Sequence, residues 1–250
     1  MDVPFLLSEA QMRRIEPYFP LSHGVPRVDD RRIVSAIIYV IKHGLMWRGS
    51  QRLRPAQNDL QPLHPLEPPG RVQPHLHRAG GQGWRARPDH DRCDPFEGAS
   101  DGGQPLKRGA LSRCIGRTKG GLNSKLHAVC DGLGRPIMML LTEGQMSDHK
   151  GAFLMLSALP NAKELLADKG YDSDWFRAAL TERGITPCIP PRKNRKVQYH
   201  YDKDLYRQRH KIENVFGRIK DWRRVATRYD RCAHTFMSAI SIAATCCYWL

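Results

Sequence analysis

Apolar residues near the start of the chain recur with helical spacing. From about Asp30 onward they fall on one helical face, and Gly44 follows as a residue suited to a helix end. This face consists of Ile33, Val34, Ile37, Ile38, Ile41 and Leu45. Ahead of it, Ser8 and Gln11 have the spacing of a capping box, which predicts a short helix to about Tyr18. Two helices and a turn are typical of half a helix-turn-helix DNA reader and equally of a helical hairpin that only packs.

The segment from 108 onward alternates between strand and helix periods. It predicts a β-hairpin, then helix, strand, helix and strand, a basic loop, and two long final helices. The predicted ranges are 123–130 and 137–141 for the hairpin, 148–159, 163–168, 173–183, 185–190, 191–196 for the loop, 203–224 and 232–249. This order predicts an α/β fold in which helices cover the faces of a sheet.

The stretch 51–106 follows neither period. It contains no Ile, Met, Tyr, Thr or Lys, yet it holds nine of the eighteen prolines. Such composition is typical of a disordered linker. A structureless insert of this length is nevertheless unusual inside a compact domain, so the segment itself requires an explanation.

Charge narrows the class of partner. The formal net charge of +15 at pH 7 favours a polyanion, with nucleic acid ahead of a membrane surface. The N-terminus lacks the pattern of a signal peptide, and the uncharged C-terminal run of 235–250 is shorter than the roughly 20 residues of a membrane span. We therefore expect a cytoplasmic, nucleoid-associated protein with no membrane partner.

One predicted helix carries an unusual set of polar residues. On a continuous helix Tyr206, Arg209, Glu213 and Lys220 project within an arc of about 60°. A second carboxylate, Asp168, ends an apolar strand, the position where catalytic groups gather in α/β sheets. An Asp at a strand end and a Glu on a packed helix can converge on Mg²⁺, which prefers hard oxygen ligands.

Each of these residues also has a simpler interpretation. Glu213 can form an i,i+4 ion pair with Arg209, and Asp168 can cap the turn that follows it. The cations can be solvated charges. In a chain of this charge the basic loop is at least as well suited to DNA phosphates, and its cations are Arg192, Lys193, Arg195 and Lys196.

Taken together, the pattern Y-x2-R-x3-E-x6-K and the stretch "LLADKGYDSDWFR" around Asp168 resemble bacterial insertion-sequence DDE transposases of the IS5 and IS4 kind. The resemblance covers 1–48 and about 108–250. It implies an RNase H-like mixed sheet flanked by helices, and an acidic triad that binds two Mg²⁺ ions. Asp168 would be the second metal-binding acid and Glu213 the third, with Arg209, Lys220 and Tyr206 beside the DNA.

The first acid of the triad is missing from the chain. The family carries it in a strand such as "MIDATHLKAHR", whereas 89–100 here read "DHDRCDPFEGAS". Codons compatible with this stretch, read one base later, encode T-M-I-D-A-T-H-L-K-A-H. We therefore expect about 50–107 to be translated out of frame, with the lost Asp codon straddling Arg92 and Cys93. The nearby Asp91 and Asp94 lack a hydrophobic strand around them and are poor substitutes.

The resemblance divides the chain into three parts. Residues 1–48 form a helical region with a possible role in DNA binding, 49–107 an irregular segment, and 108–250 a catalytic domain without its first strand. The implied partners are terminal inverted repeats and target DNA, held by a homodimer. Two alternatives stay open, a non-catalytic DNA-binding remnant or regulator and an RNase H-like nuclease unrelated to transposon ends.

Overall fold

The computed structural model describes residues 6–20, 29–46 and 113–250. They belong to one compact unit built from Met1–Pro55 and Leu111–Leu250. Its helices and strands follow in the order α1 Glu9–Ile15, a 3-10 turn Glu16–Tyr18, α2 Asp30–His43, β1 Gly116–Thr118, β2 Gly121–Cys130, β3 Pro136–Glu143, α3 Asp148–Leu156, β4 Glu164–Leu166, a 3-10 turn Lys169–Tyr171, α4 Asp174–Glu182, β5 Thr186–Cys188, α5 Lys203–Arg207, α6 His210–Lys220, α7 Arg223–Ala226 and α8 Ala233–Tyr248. The mixture of helix and strand agrees with the predicted α/β class.

The predicted capping box is confirmed at α1. The backbone N–H of Gln11 donates to Ser8 Oγ over 3.2 Å, and Gln11 Oε1 accepts from the N–H of Ser8 over 2.9 Å. At the other end of the next helix, Gly44 has a φ of +66°, the left-handed conformation that ends α2. Local sequence therefore determined the start of α1 and the end of α2.

The described strands form two sheets rather than the single predicted one. β2 is the middle strand of an antiparallel sheet of order β1-β2-β3, while β4 and β5 form a separate parallel pair. Residues Ser124–Cys130 of β2 pair with β3 alone, since β1 pairs only with Gly121–Asn123. In the described residues this part of β2 has one edge without a strand partner.

The prediction of one helix over 203–224 is wrong. The chain forms α5, α6 and α7, with a tight turn at Gln208 and Arg209. There the N–H of Arg209 donates to Tyr206 O and the N–H of Ile212 to Arg209 O, which are i→i−3 bonds of the 3-10 type. Tyr206 and Arg209 therefore stand on the approach to α6 rather than on one straight helix with Glu213.

Apolar cores cover both faces of the β2–β3 hairpin. On one face, α2, α6, α7 and α8 surround buried residues such as Val215 and Ile240, and Leu126 of β2 packs against them. On the other face, α3, α4 and β5 surround Leu180, and Val129 of β2 packs there. This alternation follows the period of two along β2.

The buried face of α2 differs in part from the prediction. Ile38 and Ile41 are buried as expected, whereas the other predicted members are half-buried. The face also takes in Ser35, Ala36 and Val40. Ser35 is buried because its Oγ accepts a hydrogen bond of 2.9 Å from the N–H of Leu7, a contact between segments that spacing cannot predict. None of the helices in the described ranges is long and apolar enough to cross a membrane.

Candidate active site

Asp168 lies two residues beyond the end of β4, at the carboxyl edge of the parallel β4–β5 pair. It is exposed, and its Oδ1 accepts a hydrogen bond of 2.8 Å from the N–H of Lys169. Its carbonyl oxygen accepts another from Tyr171 over 2.8 Å. Asp168 thus caps the following turn and still presents its carboxylate to solvent, so the capping and the chemical interpretation are compatible.

Glu213 stands in the first turn of α6, where a carboxylate is favoured by the positive end of the helix dipole. Its Oε1 accepts a hydrogen bond of 2.6 Å from Arg209 Nη2, and its side chain is 58% exposed. The i,i+4 ion pair considered from sequence is therefore present. The exposed fraction leaves room for a second ligand on the same carboxylate.

Arg209 links the two acids. Burial lowers the pKa of its guanidinium, but Tyr206 and the charges of Glu213 and Asp168 outweigh that effect and raise the pKa. The Arg209 guanidinium carbon lies 5.7 Å from the centre of the Tyr206 ring. Tyr206, Arg209 and Glu213 therefore lie together, and Asp168 acts on Arg209 through its charge.

Lys220 lies at the last residue of α6, two turns beyond Glu213, and is exposed. The structure thus brings Tyr206 and Glu213 to Arg209 and leaves Lys220 further along the same helix. An exposed cation at that distance can bind a DNA phosphate next to the one that the acids would serve.

A cleft of about 860 Å³ opens beside Asp168. Its walls are the turn after Asp168 and the basic loop, and they include Asp168, Lys169, Arg192, Lys193 and Asn194. A carboxylate on one wall and cations on the other suit a phosphate group that approaches a metal-binding acid.

The four cations of the basic loop have different surroundings. Lys193 and Lys196 are exposed, whereas Arg192 donates to Gly170 O over 3.0 Å and to Lys169 O over 3.3 Å. Arg195 pairs with Asp174 and lies 3.3 Å from Asp172, so two carboxylates already compensate its charge. The lysines are the better candidates for phosphate contacts.

The carboxylates of the site are suitable ligands for a divalent cation, but the described residues supply fewer than three of them in one cluster. Asp168 and Glu213 are hard carboxylates of the kind that Mg²⁺ binds. Across residues 6–20, 29–46 and 113–250, however, no three His, Cys, Asp or Glu side chains cluster so that they could hold a metal ion. Asp91 and Asp94 lie outside these ranges, as does the whole segment 50–107.

His127 is a functional-looking residue that its position on a strand gave no reason to select. It is buried, with Nε2 3.0 Å from Thr142 Oγ1 and Nδ1 3.3 Å from the hydroxyl of Tyr171. Burial, followed by the charges of Asp148 and Asp168, raises the pKa of Tyr171 to about 12. His127 therefore contacts the turn after Asp168 through the hydroxyl of Tyr171.

The sequence offered no reason to select Asp172 or Arg177 as a pair. Both residues lie in the stretch quoted around Asp168, but nothing in their spacing marks them as partners. Arg177 Nε lies 2.9 Å from Asp172 Oδ1, and both side chains are almost fully buried. This ion pair is inside the protein, where a lone charge would be costly.

An α/β domain with one carboxylate beyond a strand end, a second on a packed helix and several cations nearby has the components of a phosphoryl-transfer site. Residues 104–250 match the family model described as "Transposase DDE domain", and the chain belongs to this family. Membership implies an RNase H-like fold, a DNA-acting enzyme and a general use of divalent metal ions.

Two relatives agree with this assignment. The chain is 33% identical over 123 residues to a protein from Brucella ovis named as a transposase for insertion sequence element IS6501, covering 49% of this chain and 95% of that protein. It is 28% identical over 157 residues to a Burkholderia cepacia protein named as a transposase for insertion sequence element IS402, covering 55% and 72%. No solved structure matches the chain.

Proposed function

We propose that the chain is a transposase of the IS5 kind in which Asp168 and Glu213 are the second and third metal-binding acids. The observation that carries this proposal is the placement of the two acids. Asp168 is exposed beyond the carboxyl end of β4, and Glu213 is held by Arg209, whose guanidinium lies near the Tyr206 ring. Against the lowering effect of burial, the charge of Asp168 also helps to raise the pKa of Arg209, which supports one shared site. Two bound Mg²⁺ ions would supply charge neutralisation of the reacting phosphate.

The protein's own groups would bind and orient the DNA. Arg209 holds Glu213 by its ion pair, and its guanidinium lies near the ring of Tyr206. Lys220 would contact the backbone further along α6. Lys193 and Lys196 would bind phosphates across the cleft, while Arg192 and Arg195 mainly hold the loop in place.

We further propose that the segment 50–107 is out of frame and that the first acid is lost with it. Two features of the described residues support this idea. The edge of Ser124–Cys130 has no strand partner there, and β4 pairs only with β5. A strand carrying the first acid would join these two sheets and complete the ligand set.

The remaining assignments follow from the same proposal. Residues 1–48 would contribute to DNA binding, 49–107 would be the out-of-frame segment, and 108–250 would be the catalytic domain. The DNA would comprise the terminal inverted repeats and the target, and a homodimer would bring two ends together. In this chain we expect DNA binding with little or no cleavage.

The coding DNA provides the first test, because the shifted frame must encode the missing strand. A chain with that frame restored should nick transposon-end DNA in the presence of Mg²⁺, and Glu213→Ala should abolish the nicking. Glu182→Ala, at an exposed acid on α4, serves as the matched control. Nicking that persists in Glu213→Ala, or a restored chain that never nicks, would contradict the proposal.

A second candidate function is DNA binding without catalysis, as a remnant or regulator. It is favoured by the lack of a three-ligand cluster among the described residues. Salt-sensitive binding by the chain with its frame restored, with no nicking at any Mg²⁺ concentration, would support it. Cleavage that is indifferent to terminal repeats would instead indicate a general RNase H-like nuclease.

A further inference from the structure

The carboxylate of Asp172 is a junction between three segments. Its side chain has no exposed surface, and its Oδ1 lies 2.9 Å from Arg177 Nε on α4 and 3.3 Å from Arg195 Nη1. Its Oδ2 accepts a hydrogen bond of 2.9 Å from the backbone N–H of Arg192. One buried carboxylate therefore joins the turn after Asp168, helix α4 and the basic loop.

Arg177 extends the junction toward β5. Its Nη2 donates to the carbonyl oxygen of Ile189 over 2.7 Å, just before the basic loop begins. Burial alone would raise the pKa of Asp172, but the N–H of Arg192 and the guanidinium groups of Arg177 and Arg195 lower it below its ordinary value. Asp172 is therefore held as a charged acceptor at neutral pH.

A second attachment lies on the cleft side. The guanidinium of Arg192 donates to the carbonyl oxygens of Lys169 and Gly170, the two residues that follow Asp168. The basic loop is thus bound to the turn at two points, the buried Asp172 carboxylate and the exposed Arg192 side chain. Neither attachment uses Lys193 or Lys196, which stay exposed.

We propose that Asp172 is a positioning residue that holds Lys193 and Lys196 in fixed register with Asp168, so that a DNA phosphate bound by the loop lies beside the metal-binding acid. This inference rests on the proposed function, because it takes DNA as the ligand of the loop. It adds a role for a residue that touches neither DNA nor metal.

The test measures coupling between Asp172 and the two lysines. Binding of a fluorescein-labelled DNA duplex of mixed sequence is measured at low salt for the wild type and for Lys193→Ala/Lys196→Ala, each with and without Asp172→Asn. We expect the double alanine change to weaken wild-type binding by on the order of tenfold. In the Asp172→Asn background the same change should cost less than about twofold, because the loop loses its buried attachment and the Arg192 side chain alone does not keep it in register.

Asp230→Asn provides the matched control. Asp230 forms a partly buried pair with Arg224, at 2.7 and 2.8 Å, and has no part in the proposed DNA site. The double alanine change should keep its full effect in this background. An equal loss in the Asp172→Asn and wild-type backgrounds, or no loss in the wild type, overturns the inference while DNA binding by the wild type still supports the proposed function. A wild type that binds no DNA overturns both.

Hydrogen exchange tests the same inference without any variant, should Asp172→Asn fail to fold. If the loop and the turn act as one body, DNA should slow exchange in 168–172 and 191–196 together. Protection confined to 191–196 overturns the inference.

Discussion

The Nη2 atom of Arg209 donates a 2.6 Å hydrogen bond to Glu213 Oε1. The Arg209 guanidinium carbon also lies 5.7 Å from the centre of the Tyr206 ring, and, against the lowering effect of burial, the charge of Asp168 helps to raise the pKa of Arg209. An ion pair that would ordinarily add little to helix stability therefore has a second consequence. It holds the carboxylate of Glu213 beside the cation that lies near Tyr206.

Replacement of Arg209 should weaken DNA binding by the loss of one phosphate contact. For Arg209→Ala we expect a lower affinity and a decrease of about 1 in the slope of log affinity against log salt. Fluorescence anisotropy over a salt series provides the measurement. Arg207→Ala is the control, since Arg207 is 82% exposed and pairs with Asp204 on α5. An equal change of slope in both variants would show that Arg209 contributes only general charge.

The pH dependence of stability should report on His127. Burial lowers its pKa below the ordinary 6.5, and Lys125 adds to this, while Asp148 acts in the opposite direction. The folded state therefore binds fewer protons than the unfolded state between the two pKa values. The free energy of unfolding should decrease as the pH falls from about 6.5 to the folded pKa, and should then become level.

His127→Gln isolates this contribution. Chemical denaturation at about pH 7.5 and pH 5 should show a smaller loss of stability on acidification for the variant than for the wild type. Equal losses in the two proteins would mean that His127 titrates alike when folded and unfolded.

Gly151 should tolerate no larger residue, because it lies against the buried imidazole. A Cβ added there would be 2.3 Å from His127 Cε1, so Gly151→Ala should destabilise the protein by about 1–3 kcal/mol. At Gly217 of α6 nothing lies within 4 Å of an added Cβ. Gly217→Ala should instead stabilise by about 0.5–1 kcal/mol through helix propensity. Urea unfolding of both variants tests the contrast, and equal signs would contradict it.

Truncation of the buried Ile219 should destabilise the protein far more than truncation of an exposed apolar side chain. Ile219 is 1% exposed and anchors α6 in the core, so Ile219→Ala should cost about 2–5 kcal/mol. Phe153→Ala, at a side chain 67% exposed, should change the free energy of unfolding by less than about 0.5 kcal/mol. A small effect at Ile219 would indicate that α6 is docked by its polar face.

Much of the local structure could be predicted because its causes are local. The capping box at Ser8, the end of α2 at Gly44 and the β2–β3 hairpin depend on neighbours a few residues away. The break at Gln208 and Arg209 could not be predicted, since no Gly or Pro marks it. Contacts such as that of Lys211 Nζ with Gly132 O, 79 residues away, form only in the folded chain and cannot be inferred from local sequence.

The sequence by itself determined the family and the net charge, and it selected Asp168 and Glu213 as the proposed acids, because these depend on residue type and spacing alone. Only the tertiary structure decided that Glu213 pairs with Arg209 and that Asp172 is buried with Arg177. It also decided that Arg195 is neutralised while Lys193 and Lys196 are exposed. Burial and partner choice depend on how the strands and helices pack, and a carboxylate in the sequence looks the same whether it will face solvent or the core.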